Sequence, residues 1–177
     1  MTLTIAIDIG HNVTPDGGAV GFGNENWMNT AVGSHLISLL TKAGVKVITC
    51  KPLTAVSLRQ SLQKRVSVAN EADADYYVSL HHNAGGGNGC ETFYVSDMGC
   101  KLATEICKQI AELGFKNRGA KRNTHFFVIN QTDMPAVLVE TCFVDSQSDV
   151  KLWNSVGAEA VAKAIYDGLN AVLRFTS

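Results

Sequence analysis

The chain has 177 residues, of which 46% are hydrophobic and 18% charged, with 15 basic against 16 acidic side chains and a formal net charge of -1. That balance fits one well-buried globular domain and excludes a disordered chain. It gives no electrostatic reason to expect nucleic acid or an anionic membrane as a partner. No apolar stretch approaches the roughly 20 residues that span a bilayer, so no membrane insertion is expected.

Met1 leads straight into a strand-like segment, without the basic region and small-residue cleavage site of a signal peptide. Synthesis in the cytoplasm without a signal peptide is the corresponding expectation. The cysteines Cys50, Cys90, Cys100, Cys107 and Cys142 are odd in number and lack CxxC spacing. That argues against a disulfide framework or a zinc-thiolate site and for buried, inert thiols.

In chain order, Leu3 to Ile9 reads as a buried strand, followed by a loop rich in Gly and Asn up to Asn24. Glu25 to Ala43 has the period of a helix, with Met28, Val32, Leu36, Leu39 and Leu40 on one face, Asn24 as cap and Gly44 as stop. A strand over Val45 to Thr49 and a loop over Pro52 to Val56 precede a second helix from Ser57, its N-cap, to Glu71. Tyr76 to Leu80 predicts a strand, and the four glycines between Asn83 and Gly89 a loop. Glu91 to Val95 is read as a strand and Gly99 to Leu113 as an amphipathic helix. Phe115 to Arg122 is expected to turn, with strands over His125 to Ile129 and Ala136 to Val139. Two helices, Ser146 to Trp153 and Ser155 to Phe175, close the chain. Strands alternating with helices, the strands nearly continuous in apolar residues, predict a single α/β domain with a largely parallel sheet.

Three apolar runs end in groups able to do chemistry: Leu3 to Ile9 leads to His11, Tyr76 to Leu80 to His81, and Pro135 to Val139 to Glu140. In open parallel sheets, ligands bind outside the carboxyl ends of the strands, which would bring these three groups together. Glu25, in the first turn of a helix, is explained by the helix dipole alone, or joins His11 and His81 as a His-Glu-His set. Three such ligands with one open position make a catalytic zinc site. Spacing alone is a weak signal, because no short motif links the ligands. Consecutive strand residues point in different directions, so His81 and His82 are not expected to bind one ion. A charge after an apolar run is costly to bury without a partner or a metal nearby, which makes Glu140 a candidate proton carrier.

Four segments, Asp8-Ile-Gly-His11, Glu25-Asn-Trp-Met-Asn29, Ser79-Leu-His81-His-Asn83 and Pro135-Ala-Val-Leu-Val-Glu140, occur in an order that resembles the zinc-dependent N-acetylmuramoyl-L-alanine amidases (amidase type 3). The segment Phe115-Lys-Asn-Arg-Gly-Ala-Lys121 is similar to the catalytic domains of clostridial phage endolysins. The resemblance implies one zinc ion held by His11, Glu25 and His81, with Glu140 as the catalytic glutamate. It implies hydrolysis of the amide between N-acetylmuramic acid and L-alanine of peptidoglycan. It also implies a mixed, mostly parallel sheet of about six strands with helices on both faces.

On this reading residues 1–177 form one catalytic domain without a separate cell-wall-binding domain, and a monomer is expected. The protein would reach the cell wall through a separate membrane-permeabilising protein, as phage endolysins do. Arg118 and Lys121 are candidates for holding a peptide carboxylate, since the stem peptide is acidic and Arg binds carboxylates bidentately. Asn83 and His125 are further candidates for substrate contact, and His82 is expected at the mouth of the site. Ile9 and Asn12-Val13 replace the Pro and Gly-Gly common in the family, and His82 stands where a small residue is common, so the shape of the groove stays open. A zinc peptidase or deacetylase would use the same residues on another bond. A cysteine nucleophile at Cys90 or Cys142 lacks a local histidine pattern. A wall-binding module without activity has no use for Glu140.

Overall fold

A computed structural model describes residues 2–175. Its elements are β1 (Thr4–Ile9), α1 (Glu25–Lys42), β2 (Lys46–Thr49), α2 (Leu58–Glu71), β3 (Tyr76–Asn83), β4 (Cys90–Tyr94), α3 (Asp97–Glu112), β5 (Asn117–Arg122), α4 (Phe127–Asn130), β6 (Ala136–Phe143) and α5 (Gln147–Leu173). The six strands form one sheet in the order β2-β1-β3-β6-β4-β5. Neighbours pair in parallel except β4 and β6, which run antiparallel. The architecture is the expected single α/β domain with a mostly parallel sheet.

Side chains alternate along each strand, so each strand feeds two cores. Ile5, Ile7, Val78, Leu80, Val137 and Val139 pack with the apolar stripes of α1, α3 and α5, including Leu36, Ile106 and Ile165. Ala6, Tyr77, Ala136 and Leu138 face the other way and pack with Val66 and Ala69 of α2 and Val128 and Ile129 of α4. Continuing the alternation places Asp8, Ser79, His81 and Glu140 on the α2 and α4 side. The helix starts expected at Asn24 and Ser57 are capped as the sequence indicates, by side-chain oxygens accepting from Trp27 N–H and Gln60 N–H.

Two segments depart from expectation. Asn117–Arg122 is the edge strand β5, not a turn. It has no apolar alternation to signal a strand; its ladder with β4 and the ion pairs of Arg118 and Lys121 with Glu91 hold it. The segment expected as a strand over His125 to Ile129 holds the short helix α4, which buries Val128 and Ile129 in the smaller core. A short apolar run fits either state, and packing beneath α2 decides it. Strands β3 and β6 also run past their expected ends, to Asn83 and Phe143, so His81 and Glu140 lie inside the ladder. The two closing helices meet at Gly157, where φ 82° and ψ 160° break the helical path, three residues beyond Asn154 where the sequence suggests the break.

Candidate metal centre and active site

The parallel pairing of β1 with β3 and of β3 with β6 puts three carboxyl-terminal strand regions side by side. Ile9 pairs with Leu80, and His81 pairs with Glu140. Gly10 N–H donates to Leu80 O at 3.0 Å, so β1 is still tied to β3 as it ends. A Cβ on Gly10 would sit 2.3 Å from the His81 ring, so only glycine lets the backbone pass this close. The chain then turns through His11 and Asn12, both left-handed at φ 57° and 64°. Asn29 Nδ2 and Arg65 Nη2 donate to the carbonyls of Gly10 and His11, at 3.2 and 2.5 Å, and hold that turn.

Helix α1 begins beside the turn and presents Glu25. Its Oε1 lies 3.3 Å from His11 Nε2 and 3.0 Å from His81 Nδ1, and one donor atom from each of the three residues lies within 4.8 Å of the others. Ala19 N–H and His82 N–H also donate to the Glu25 carboxylate, at 2.8 and 3.2 Å. The two imidazoles stand edge to face with centroids 4.8 Å apart. Burial alone would raise the Glu25 carboxyl; the hydrogen bonds from His11 and His81 outweigh it and hold the group well below the usual carboxylate range. For His11, burial lowers the pKa, but hydrogen bonds to Asp16 and Glu25 carry it up to about 9. Two imidazole nitrogens and a carboxylate oxygen converging on one point are a donor set suited to zinc, and a divalent cation there would satisfy all three groups at once.

Glu140 stands on β6 opposite both His81 of β3 and Glu91 of β4. It is 8% exposed, and its Oε2 is buried without a hydrogen-bond partner among the described residues. Burial, then the neighbouring charges of Glu25 and Glu91, push its carboxyl well above the usual range. His11, Glu25, His81 and Glu140 line one cleft of about 380 Å³, whose apolar wall comprises Leu58, Leu62, Phe126, Phe127 and Leu138.

Of the other candidate residues, Asn83 and His125 line this cleft. Asn83 Nδ2 donates to Glu91 Oε1 at 2.8 Å. Arg118 Nε donates to Glu91 Oε2 at 2.8 Å, and Lys121 Nζ binds the same oxygen. The carboxylate these two cations hold in the protein is therefore Glu91. His82 borders the cleft, but it is buried rather than exposed at the mouth. Its ring turns to the opposite face of the sheet, bonded to Asn29 Oδ1 at 2.7 Å and packed on Trp153, and burial lowers its pKa to about 3. Strand alternation separates the two neighbouring histidines.

All five thiols are free, and all but Cys100 are buried. Cys90 and Cys142 lie in the larger core. The Cys90 thiol is pushed up by its contact with Cys107, and the Cys142 thiol by burial, which suits neither to nucleophilic attack.

Several residues at the site escape the strand-end pattern. Arg65 of α2 is 1% exposed. Its guanidinium donates to Asp8 Oδ1 at 2.5 Å and to the Ile9 carbonyl at 2.7 Å, while Ser79 Oγ donates to Asp8 Oδ2 at 2.8 Å. Asp16 lies 2.7 Å from His11 Nδ1. The only local hints are Asp8 inside an apolar strand and Ser61, Arg65 and Ala69 at helical spacing on one buried face of α2.

Comparison with known proteins agrees with this architecture. The family described as N-acetylmuramoyl-L-alanine amidase matches residues 5–171. The N-acetylmuramoyl-L-alanine amidase LytC of Bacillus subtilis is 35% identical over 175 residues, covering 93% of this chain and 34% of that protein. The chain thus spans about a third of this relative. Among solved structures, the catalytic domain of an endolysin targeting Clostridia difficile superposes with TM-score 0.87 at 29% identity, covering 99% of each chain. The catalytic domain of CwlV, an N-acetylmuramoyl-L-alanine amidase of Bacillus (Paenibacillus) polymyxa, gives TM-score 0.85 at 30% identity over 99% of this chain and 100% of that one. With nearly its whole length matched and the same fold throughout, the chain belongs to the N-acetylmuramoyl-L-alanine amidase family.

Proposed function

We propose that this protein hydrolyses the amide bond between N-acetylmuramic acid and L-alanine in peptidoglycan, with one zinc ion held by His11, Glu25 and His81 and with Glu140 as general base and acid. The observation that carries this reading is the meeting of three metal-type donor atoms within 4.8 Å, in a cleft that also holds a buried carboxylate with an unpartnered oxygen. Family membership supplies the bond and the substrate.

Zinc in such a site supplies Lewis-acid polarisation of the scissile carbonyl and makes a water molecule more acidic. Glu140 supplies the proton transfers. Its carboxylate takes a proton from the attacking water and returns it to the departing nitrogen of L-alanine, so one group serves both halves of the reaction. A carboxyl raised by burial holds a proton more readily than an exposed glutamate, which suits a group that must accept a proton and pass it on. The Arg65 network holds the turn that carries His11, and Gly10 leaves room for the His81 ring. The apolar wall of α2 and α4 excludes water from the opposite side of the cleft.

We assign Asn83 and His125 to substrate contact from their place in the cleft. Arg118 and Lys121 are assigned to the same role through whatever donors Glu91 leaves free. Residues 1–177 act as one catalytic domain, taken as a monomer. The site of action is the cell wall, reached by release through a separate membrane-permeabilising protein; no helix among the described residues is long and apolar enough to cross a membrane.

The test is digestion of purified cell walls. The protein should clear them, expose new L-alanine amino ends without new reducing sugar ends, and stop when a chelator strips the metal. Glu140→Gln should retain zinc and lose turnover by about 10²- to 10⁴-fold, the usual worth of a general base. Activity that survives complete metal removal, or a Glu140→Gln variant as fast as the parent, overturns the mechanism. Cleavage between amino acids, or release of acetate, would move the site to a different bond.

A further inference from the structure

Asp16 lies in the loop between β1 and α1, is 3% exposed, and has both carboxylate oxygens engaged. Its Oδ1 is 2.7 Å from His11 Nδ1. Its Oδ2 accepts from Ser61 Oγ at 2.7 Å and from Arg65 Nη2 at 3.3 Å. Arg65 Nε in turn donates to Ser61 Oγ at 3.2 Å, and its Nη2 donates to the His11 carbonyl at 2.5 Å. One buried side chain of α2 thus fixes the backbone of His11 and, through Asp16, its imidazole. The other ring nitrogen, Nε2, is the one that faces Glu25, at 3.3 Å.

We infer that Asp16 is the positioning residue of this centre: it holds the proton of His11 on Nδ1, so that Nε2 is left with its lone pair aimed at the position shared with Glu25 and His81. The inference rests on the zinc reading and extends it to a residue that touches neither the cleft's donor atoms nor the scissile bond. The geometry carries it. An ionised carboxylate only accepts, so the nitrogen facing Asp16 must be the one bearing hydrogen. Ser61 and Arg65 engage Oδ2 from behind, so rotating Asp16 away would break both of these buried bonds. Nε2 faces the Glu25 carboxylate; a cation taking that position would displace only the Nε2 hydrogen, while Nδ1–H stays on Asp16, so the ring would meet the cation through Nε2 without a ring flip. Outer partners of this kind orient metal-binding histidines and raise their basicity. Among the described residues, His81 has no such carboxylate behind it. Its Nδ1 faces Glu25, and its ring is placed by close contact with Gly10. The two histidines are thus oriented by different means, one electrostatic and one steric.

The test uses zinc-loaded protein and two readouts: zinc affinity, by competition with a chromophoric chelator, and the Nδ1–H resonance of His11, by nitrogen-15 NMR. The parent should show a slowly exchanging, low-field Nδ1–H. Asp16→Ala should weaken zinc about tenfold to a hundredfold, the usual effect of removing such a partner, and lose the resonance. Asp16→Asn, whose amide oxygen still accepts, should recover the resonance and part of the affinity. A purely structural loop residue would give variants that lose thermal stability but bind zinc alike. Parental affinity and an intact resonance in Asp16→Ala overturn the role of Asp16. A parent protein that takes up no zinc overturns the metal reading itself. If Asp16→Ala does not fold, Ser61→Ala carries the test: it frees Oδ2 on one side and should weaken zinc severalfold and broaden the resonance, while an unchanged variant overturns the inference.

Discussion

Glu140 is kept in an unfavourable place. Its carboxyl is buried, lacks a partner for Oε2, and faces Glu25 and Glu91, all of which favour the neutral form. Because its folded pKa lies above the ordinary glutamate value of 4.5, its contribution to stability is fully present below 4.5 and is lost as pH rises through the folded pKa. Glu140→Gln is therefore expected to abolish turnover and yet raise the melting temperature at neutral pH by a few degrees, measured by calorimetry on metal-free protein. Glu91 behaves in the opposite sense. Burial raises its carboxyl, but hydrogen bonds from Lys121 and Arg118 outweigh it and hold the group below 4.5. Its stabilisation is present above 4.5 and is lost as pH falls through the depressed value. Urea titrations at stepped pH should show the parent losing stability below about pH 4.5, and Glu91→Gln losing less over that interval. Two carboxylates paired across adjacent strands thus divide into one that stabilises the fold and one that we propose serves the reaction.

At the scale of elements, α5 is the clearest case of a break written into one residue. Gly157 has φ 82° and ψ 160°, a combination open almost only to glycine, and it lets the second part of the helix turn back onto α3 and α1. Gly157→Ala should cost about 1–3 kcal/mol by chemical denaturation, while wall-digesting activity at low temperature is unchanged, because the break is remote from the cleft. The same scale shows where local pattern stops informing. The helices α1 and α2 were legible from an apolar face and a capping residue, since both signals lie within a few turns. The strand β5, Asn-Arg-Gly-Ala-Lys-Arg, has neither; it exists because β4 offers an edge and Glu91 offers a counter-charge to Arg118 and Lys121. The short helix α4 was legible as an apolar segment but not as a helix, because its conformation is set by what it must cover.

For the whole molecule, the buried Arg65 joins what the chain keeps far apart. It connects α2 to Asp8 across 57 residues and to the His11 carbonyl across 54, and Ser79 of β3 completes the network through Asp8. Asp8 and Arg65 are each 1% exposed, so removing one partner strands the other in the interior. Arg65→Ala should destabilise the domain by about 3–5 kcal/mol in a denaturant titration and, at the proposed zinc site, weaken zinc uptake, because the His11 turn loses its hold. The sequence by itself determined the α/β class, the helix starts at Asn24 and Ser57, and the placing of His11, His81 and Glu140 beyond or within apolar runs. Those features follow from periods of 2 and 3.6 residues and from caps, which are local. Only the tertiary structure decided that His81 faces the cleft and His82 the core, that Arg118 and Lys121 hold Glu91, and that Asp16 and Arg65 stand behind His11. These are pairings between residues distant in the chain, and strand register and helix packing, which no short window contains, bring them together.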